Sequence, residues 1–371
     1  MGFCYSKCCC YANNKWTGPG NELEPMPGTV FTWLPHEGEA HPETAEMHCC
    51  MRLSSCCGKT GDPMFEITEQ NAPQLREDFD ITPYMAGHYE ENKKRGGFAE
   101  SVLKLDVEGG QIDILVTKNT QVEGKQPAFL FAHSGGGCIG SAAQENWYAQ
   151  RCSQDFGCTV FNVDYRLAPE HKCPTGALDF VAAVKHVMAH AAELDIDDSR
   201  IVIGGISGGS MVALAAAYHM AKQGEAGKIK AQFLRCPQLS DELKAVSHDQ
   251  WNDYEAIQGG QTAEFHRALA AGEPSPTDFY LVPGRMPLDE LRQCPPTVVF
   301  TSEFDYLRRD AIAFIARLKE AGRLLDYYSH PGGIHGYEAG EAGVYAHQET
   351  IKAWKKYVDG DGMQDVQDTK E

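Results

Sequence analysis

The chain has 371 residues, of which 42% are hydrophobic and 23% charged, enough apolar content for a sizeable core in one large catalytic domain with appendages. Its 52 acidic against 33 basic side chains give a formal charge of −19, which argues against a nucleic-acid partner, whose phosphates demand Lys and Arg, and against electrostatic adhesion to anionic lipid. It contains no run of eighteen apolar residues that would read as a membrane-spanning helix, and no internal repeat.

The amino terminus, Met1-Gly2-Phe3-Cys4-Tyr5-Ser6-Lys7-Cys8-Cys9-Cys10, fits the N-myristoylation pattern at Gly2 and Ser6. Cys4, Cys8, Cys9 and Cys10 suit palmitoylation, the second signal that stable anchoring requires because one myristoyl chain binds membranes only marginally. There is no apolar core of seven or more residues, so a secretory signal fits poorly. Eight of the fourteen cysteines lie in the first 57 residues, including the doublets Cys49-Cys50 and Cys56-Cys57. Metal binding and an unmodified disordered tail stay open, although the doublets lack the C-x₂-C spacing of common zinc sites. A myristoylated protein faces a reducing compartment, which disfavours disulfides. The expectation is a Cys-rich segment over 1–60, lipid-anchored at a cytoplasmic membrane face, with a soluble cytoplasmic protein as the alternative.

From residue 100 strands and helices alternate. Strands are expected at Ala99–Val107, Gln111–Thr117, Ala128–Ala132, Thr159–Asp164, Ile201–Gly204, Lys230–Arg235, Thr297–Ser302 and Leu324–Ser329. Helices between most of them predict an α/β fold, a mostly parallel eight-stranded sheet covered on both faces. After the third strand, His133-Ser134-Gly135-Gly136-Gly137 supplies a loop whose backbone can approach a ligand closely, because glycine has no Cβ. A Walker-type phosphate loop would need Lys-Ser/Thr after its glycines, and Cys138-Ile139 follows instead. Next comes Asp164-Tyr165-Arg166-Leu167-Ala168-Pro169-Glu170. Then Gly205-Ile206-Ser207-Gly208-Gly209 stands between a short apolar strand and the small-residue helix that starts at Ser210. A G-x-S-x-G at a strand-to-helix junction is a nucleophile elbow, with the serine held on a sharp strained turn.

Residues 239–291 show no clear strand and carry Trp251, Tyr254, Phe265, Phe279 and Tyr280. They read as part of a lid over a pocket, since long excursions without secondary structure are usually functional or disordered; residues 65–95 are expected to complete it. Asp305 follows the strand Thr297–Ser302, with Glu303 and Asp310 as local competitors. A helix Arg308–Ala321 and a further strand lead to Pro331-Gly332-Gly333-Ile334-His335-Gly336-Tyr337, which puts a histidine in a glycine-rich loop. His330 reads as the end of the preceding strand. The catalytic domain is expected over 61–358 and an acidic disordered tail over 359–371.

The loop, the heptapeptide and the elbow together make the chain resemble the hormone-sensitive-lipase-like branch of the α/β-hydrolases, which includes plant carboxylesterases and arylacetamide deacetylase. That branch carries His-Gly-Gly-Gly, the same Asp-Tyr-Arg-Leu-Ala-Pro-Glu, and Gly-Asp-Ser-Ala-Gly-Gly; the resemblance covers about residues 98–358. It implies a serine carboxylic-ester hydrolase acting on a small-molecule or lipid ester through an acyl-enzyme. Ser207 would be the nucleophile, His335 the general base and Asp305 its orienting acid. The backbone N–H groups of Gly135, Gly136 and Gly208 would form the oxyanion hole. No metal or organic cofactor is needed for such chemistry. An acyltransferase would use the same machinery, and a non-catalytic small-molecule receptor or scaffold on the same fold is the other alternative. Receptors of this fold lack the triad histidine, whereas all three members are present here. Ser134, Ile206, Gly208 and Arg309 depart from the branch's pattern. Ile206 removes a local hydrogen-bond acceptor and Gly208 is expected to loosen the elbow, so reduced activity or an unusual substrate is anticipated.

Overall fold

The computed structural model describes residues 67–239, 265, 267–270, 272, 275–305, 307–336 and 341–360. The proposed lipidation sites Gly2, Cys4, Cys8, Cys9 and Cys10, most of the aromatic lid segment and the expected tail from residue 361 lie outside them, while Asp359, expected to begin that tail, ends a helical turn and pairs with Arg200 at 3.4 Å. Among the described residues no helix is long and apolar enough to cross a membrane.

Among the described residues two helices, α1 (Ala72–Asp78) and α2 (Thr82–Arg95), precede the sheet. The eight strands are β1 (Phe98–Val107), β2 (Gly110–Asn119), β3 (Gln126–Ala132), β4 (Thr159–Val163), β5 (Ile196–Ile206), β6 (Ile229–Arg235), β7 (Thr297–Phe304) and β8 (Leu324–Ile334). They lie in one sheet in the order β1-β2-β4-β3-β5-β6-β7-β8. The hairpin β1–β2 and the pair β2–β4 are antiparallel, and every other pair is parallel. Parallel neighbours need crossovers, supplied here by α3 (Asn146–Phe156), α4 (Thr175–Ala189), α5 (Gly208–Lys222) and α6 (Arg308–Glu320). A last helix, α7 (Glu341–Trp354), follows β8.

Side chains alternate across a pleated strand, and the buried residues divide accordingly. On one face Ala128, Leu130, Ile201, Ile203 and Val299 pack with α4, α5 and α6 residues such as Phe180, Leu214 and Phe314. On the other, Phe129, Phe131, Val202, Val298 and Phe300 pack with Trp147, Tyr148 and Trp354. Phe131 is wholly buried, a burial that contributes ~1.5–3 kcal/mol. The apolar runs of β3, β5 and β7 thus reflect strands covered on both sides.

Of the two leading helices, α1 reaches the glycine loop: Arg76 Nε donates to the Cys138 carbonyl at 3.0 Å, and its guanidinium pairs with Glu170 at 2.6 Å. Helix α2 packs against α3, where Asn92 Nδ2 donates to the Trp147 carbonyl at 2.7 Å and the His88 ring stacks on Trp147.

Candidate active site

The site lies at the carboxyl ends of the central strands, where open α/β sheets generally bind ligands. β5 ends at Ile206 and α5 begins at Gly208, so Ser207 alone makes the turn, with φ 55° and ψ −119°. A non-glycine residue there stores about 1–3 kcal/mol of backbone strain, which persists only where its surroundings over-determine it. Those surroundings are visible. Ser207 N–H donates to the Arg235 carbonyl at 2.9 Å. The buried Ser210 hydroxyl donates to the Gly205 carbonyl at 2.6 Å and accepts from Arg235 N–H at 3.0 Å. Ser210 thereby clips the elbow to β6, a contact that no sequence motif announces.

Ser207 Oγ stands 2.8 Å from His335 Nε2, and His335 Nδ1 stands 3.0 Å from Asp305 Oδ1. The Asp305 side chain is fully buried, and its Oδ1 also accepts from Leu307 N–H at 2.8 Å. β7 delivers the carboxylate, and the turn after β8 delivers the imidazole. Of the acidic competitors, Asp310 sits within the first turn of α6. His330 lies inside β8, paired in register with Ser302, because that strand runs to Ile334 rather than ending at Ser329. Burial and the nearby Arg235 cation push its pKa down to about 3.

The glycine loop meets the elbow directly. Gly135 and Gly136 have φ of 114° and 61°, values that favour glycine. A Cβ on Gly208 would lie 2.4 Å from Gly136 N, and one on Gly209 would lie 2.0 Å from the Ala132 carbonyl oxygen. Gly208 therefore answers to close approach of the loop, not to a looser elbow as its sequence suggested. Neither Gly135 nor Gly136 N–H donates to another backbone group among the described residues. Gly208 N–H opens a helix, where it has no partner within the helix. Of the three N–H groups named from the sequence, that of Gly136 thus lies against Gly208, the residue after Ser207.

Other departures from the motif pattern also acquire reasons. Ser134 binds Glu145 through both its hydroxyl and its N–H, the latter at 3.1 Å. Ile206 is buried in the aromatic cluster below β5, so an apolar side chain suits its place. Arg309 is exposed. The heptapeptide meets the loop at Tyr165, on which the wholly buried His133 ring stacks at 4.3 Å, and Tyr165 Oη donates to the His133 carbonyl at 2.9 Å. Burial lowers the His133 pKa, against the Asp164 carboxylate and the Ser134 carbonyl. Arg166 pairs with the buried Asp179 at 2.7 Å. The heptapeptide therefore works as scaffold, holding the glycine loop from beneath and α4 from the side.

Part of the lid segment is described. The Phe265 ring fills the place a Gly136 Cβ would take, and Leu269 does the same for Gly137. Leu269 and Tyr280 also line a small cavity with Tyr165, Met211 and Val212. A second, open cleft of about 540 Å³ lies at the amino ends of β5 to β7, lined by Asp198, Lys228, Lys230 and Arg323 among others. It shares no residue with the Ser207 site.

The chain matches the family defined by the α/β-hydrolase fold over residues 129–339. It is a member of that family. Its likeness to esterases agrees with the hormone-sensitive-lipase-like branch. It is 30% identical over 207 residues to an arylesterase of Saccharolobus solfataricus, covering 55% of this chain and 66% of that one. To the carboxylesterase NlhH of Mycobacterium tuberculosis it is 29% identical over 215 residues, covering 57% and 66%. The chain thus spans just under two thirds of these curated relatives. Among solved structures it resembles a bacterial heroin esterase, with 28% identity, a TM-score of 0.68 and coverage of 79% of this chain and 94% of that one.

Proposed function

We propose that the protein is a serine carboxylic-ester hydrolase. One observation carries the reading: Ser207 Oγ, on its strained turn, is the outer member of a hydrogen-bond series through His335 to the buried Asp305. His335 Nε2 takes the Ser207 proton as Oγ attacks the ester carbonyl carbon. Asp305 holds the tautomer with the proton on Nδ1 and stabilises the imidazolium. Charge developing on the carbonyl oxygen is met by the N–H groups of Gly135, Gly136 and Gly208, each worth roughly 2.7–4 kcal/mol in such sites. His335 then returns the proton to the leaving alcohol, and water releases the acid by the same steps reversed. The esterase names of the relatives support the class of bond, and the apolar Phe265 and Leu269 beside the glycine loop suit an acyl chain. Acylation of Gly2 and nearby cysteines would hold the enzyme at a cytoplasmic membrane face. Mass spectrometry of the amino-terminal peptide, with Gly2→Ala as control, tests that placement.

The activity test is p-nitrophenyl ester turnover from acetate to palmitate beside Ser207→Ala, with fluorophosphonate labelling. Turnover and labelling that both vanish in the variant support the reading. No turnover at any length together with no labelling of Ser207 overturns it in favour of a receptor on this fold.

A further inference from the structure

Cys236 sits at the carboxyl end of β6, directly after the strand that clips the elbow. It is 1% exposed and holds φ at 42°, and its N–H donates to the Phe300 carbonyl at 2.8 Å. Its thiol faces Ser302 Oγ at 3.6 Å. More consequentially, Cys236 Sγ, a carboxylate oxygen of Asp305 and a ring nitrogen of His335 all lie within 4.8 Å of one another. A second observation points the same way. Asp305 is 6% exposed, and among the described residues nothing hydrogen-bonds its Oδ2. A buried carboxylate oxygen left without a donor is costly, and it retains lone pairs for a cation while Oδ1 keeps the Leu307 N–H.

We propose that Cys236, Asp305 and His335 form an inhibitory zinc site that shuts the esterase by taking two members of its triad. One thiolate, one imidazole and one carboxylate make a borderline-soft donor set of the kind Zn²⁺ accepts, with water in the fourth position. Magnesium and calcium would need a shell of six or more oxygens, which this site lacks. Thiolate and carboxylate also cancel the two positive charges of the ion, which a buried site requires. Zinc bond lengths place tetrahedral ligand atoms ~3.4–3.6 Å apart, so side-chain adjustments of about an ångström close the site. His335, whose side chain is 17% exposed, gives the ion its way in past Ser207.

The proton balance explains the inhibition. Zn²⁺ displaces the Cys236 thiol proton to solvent and bonds Sγ. It bonds His335 at Nδ1, the nitrogen that faces Asp305, and the Nδ1 proton leaves while Nε2 takes one up. The net release is one proton per ion. Nε2–H then points at Ser207 Oγ as a donor, and the base that the acylation step needs is gone. No oxidant or reductant is involved, and removal of the ion restores the tautomer.

The test is esterase turnover in nitrilotriacetate-buffered zinc, which fixes the free ion whatever the amino-terminal cysteines bind, with each protein normalised to its own metal-free rate. The wild type is expected to be inhibited and to recover fully with EDTA. Cys236→Ser and Cys236→Ala should raise the apparent inhibition constant at least about tenfold, since changing even an outer partner of a metal ligand costs 10–100-fold in affinity. Equal inhibition of wild type and both variants, or none up to about millimolar free zinc, overturns the site. The turnover readout rests on the esterase reading, so a second one does not. In a Co²⁺ titration the full-length wild type should show sulfur-to-cobalt absorption in excess of Cys236→Ser, the amino-terminal thiols being common to both. An enzyme without turnover but with that difference loses the hydrolase reading and keeps the metal site. Identical cobalt spectra overturn the metal site alone.

Discussion

Among the described residues two histidine–aspartate pairs have nearly the same length, and only one of them also meets a serine hydroxyl. His335 meets Asp305 at 3.0 Å, and His347 of α7 meets Asp155 of α3 at 2.8 Å. At the first, the aspartate takes Nδ1 and leaves Nε2 to Ser207. At the second, the aspartate takes Nε2, and Nδ1 has no hydrogen-bond partner among the described residues. The His347 ring is stacked on Phe156 with Tyr148 at its edge. Burial pushes its pKa down to about 4 despite the carboxylate. Burial also pushes Asp155 up, but hydrogen bonds from His347 and Arg95 outweigh it and hold that carboxyl at about 2. The second pair is thus a neutral imidazole beside an ionised carboxylate, tying α7 to α3. A His–Asp contact becomes a catalytic unit only when the other nitrogen faces a nucleophile.

The sharpest way to break this comparison is to remove one member from each site. Ser207→Ala and His335→Gln should lower kcat by a factor on the order of 10⁴–10⁶ with thermal stability retained. Asp305→Asn should cost about 10⁴-fold, whereas Asp155→Asn should leave kcat unchanged and lower Tm. Comparable kcat losses in the two asparagine variants, measured on one p-nitrophenyl ester, would erase the distinction between the pairs.

A smaller effect tests the backbone half of the site. Gly208→Ala places a methyl 2.4 Å from Gly136 N, so loop and elbow must separate and the donors lose register. We expect kcat to fall about 10²–10³-fold with KM little changed, since the donors serve charge that exists only in the transition state. A variant with wild-type kcat would show that the loop moves freely and that its contact with Gly208 is incidental.

These regions also differ in how far they could be read in advance. The elbow at Ser207 and the glycines Gly135, Gly136 and Gly208 were legible as motifs because a strained turn and a close backbone approach restrict which residues fit, whereas Asp305 and His335 were singled out only by the resemblance and by their places after strands. The sheet was legible because strands buried on both faces leave apolar runs. Ser210 as a clip, Glu145 as the anchor of Ser134 and Phe265 against Gly136 were not. Each is a single side chain meeting a partner far along the chain, without periodicity or motif. The sequence did place His330 on a strand, but nothing in it distinguished the solvent-poor Nδ1 of His347 from that of His335, because tautomer and burial are properties of packing. Gly208 shows the converse, a residue whose identity was plain and whose reason was misread until its neighbour across the loop was known.

The smallest predicted effect is the most specific to the second pair. A buried imidazole whose folded pKa is lowered leaves the native state under-protonated relative to the unfolded chain. Stability is therefore complete above the unfolded value of about 6.5 and is withdrawn as pH falls towards about 4, where His347 itself takes the proton. In His347→Gln that contribution to the slope disappears, and what remains between pH 6.5 and 4 comes from groups such as His330 and His133. At neutral pH the variant should be less stable by ~1 kcal/mol for the weakened hydrogen bond to Asp155, a Tm decrease of about 2–4 °C. The deficit should shrink on acidification until the two Tm curves meet. Curves that stay parallel from pH 7 to 4 would mean that His347 titrates alike in the folded and unfolded chains, and the contrast between the two pairs would then rest on geometry alone.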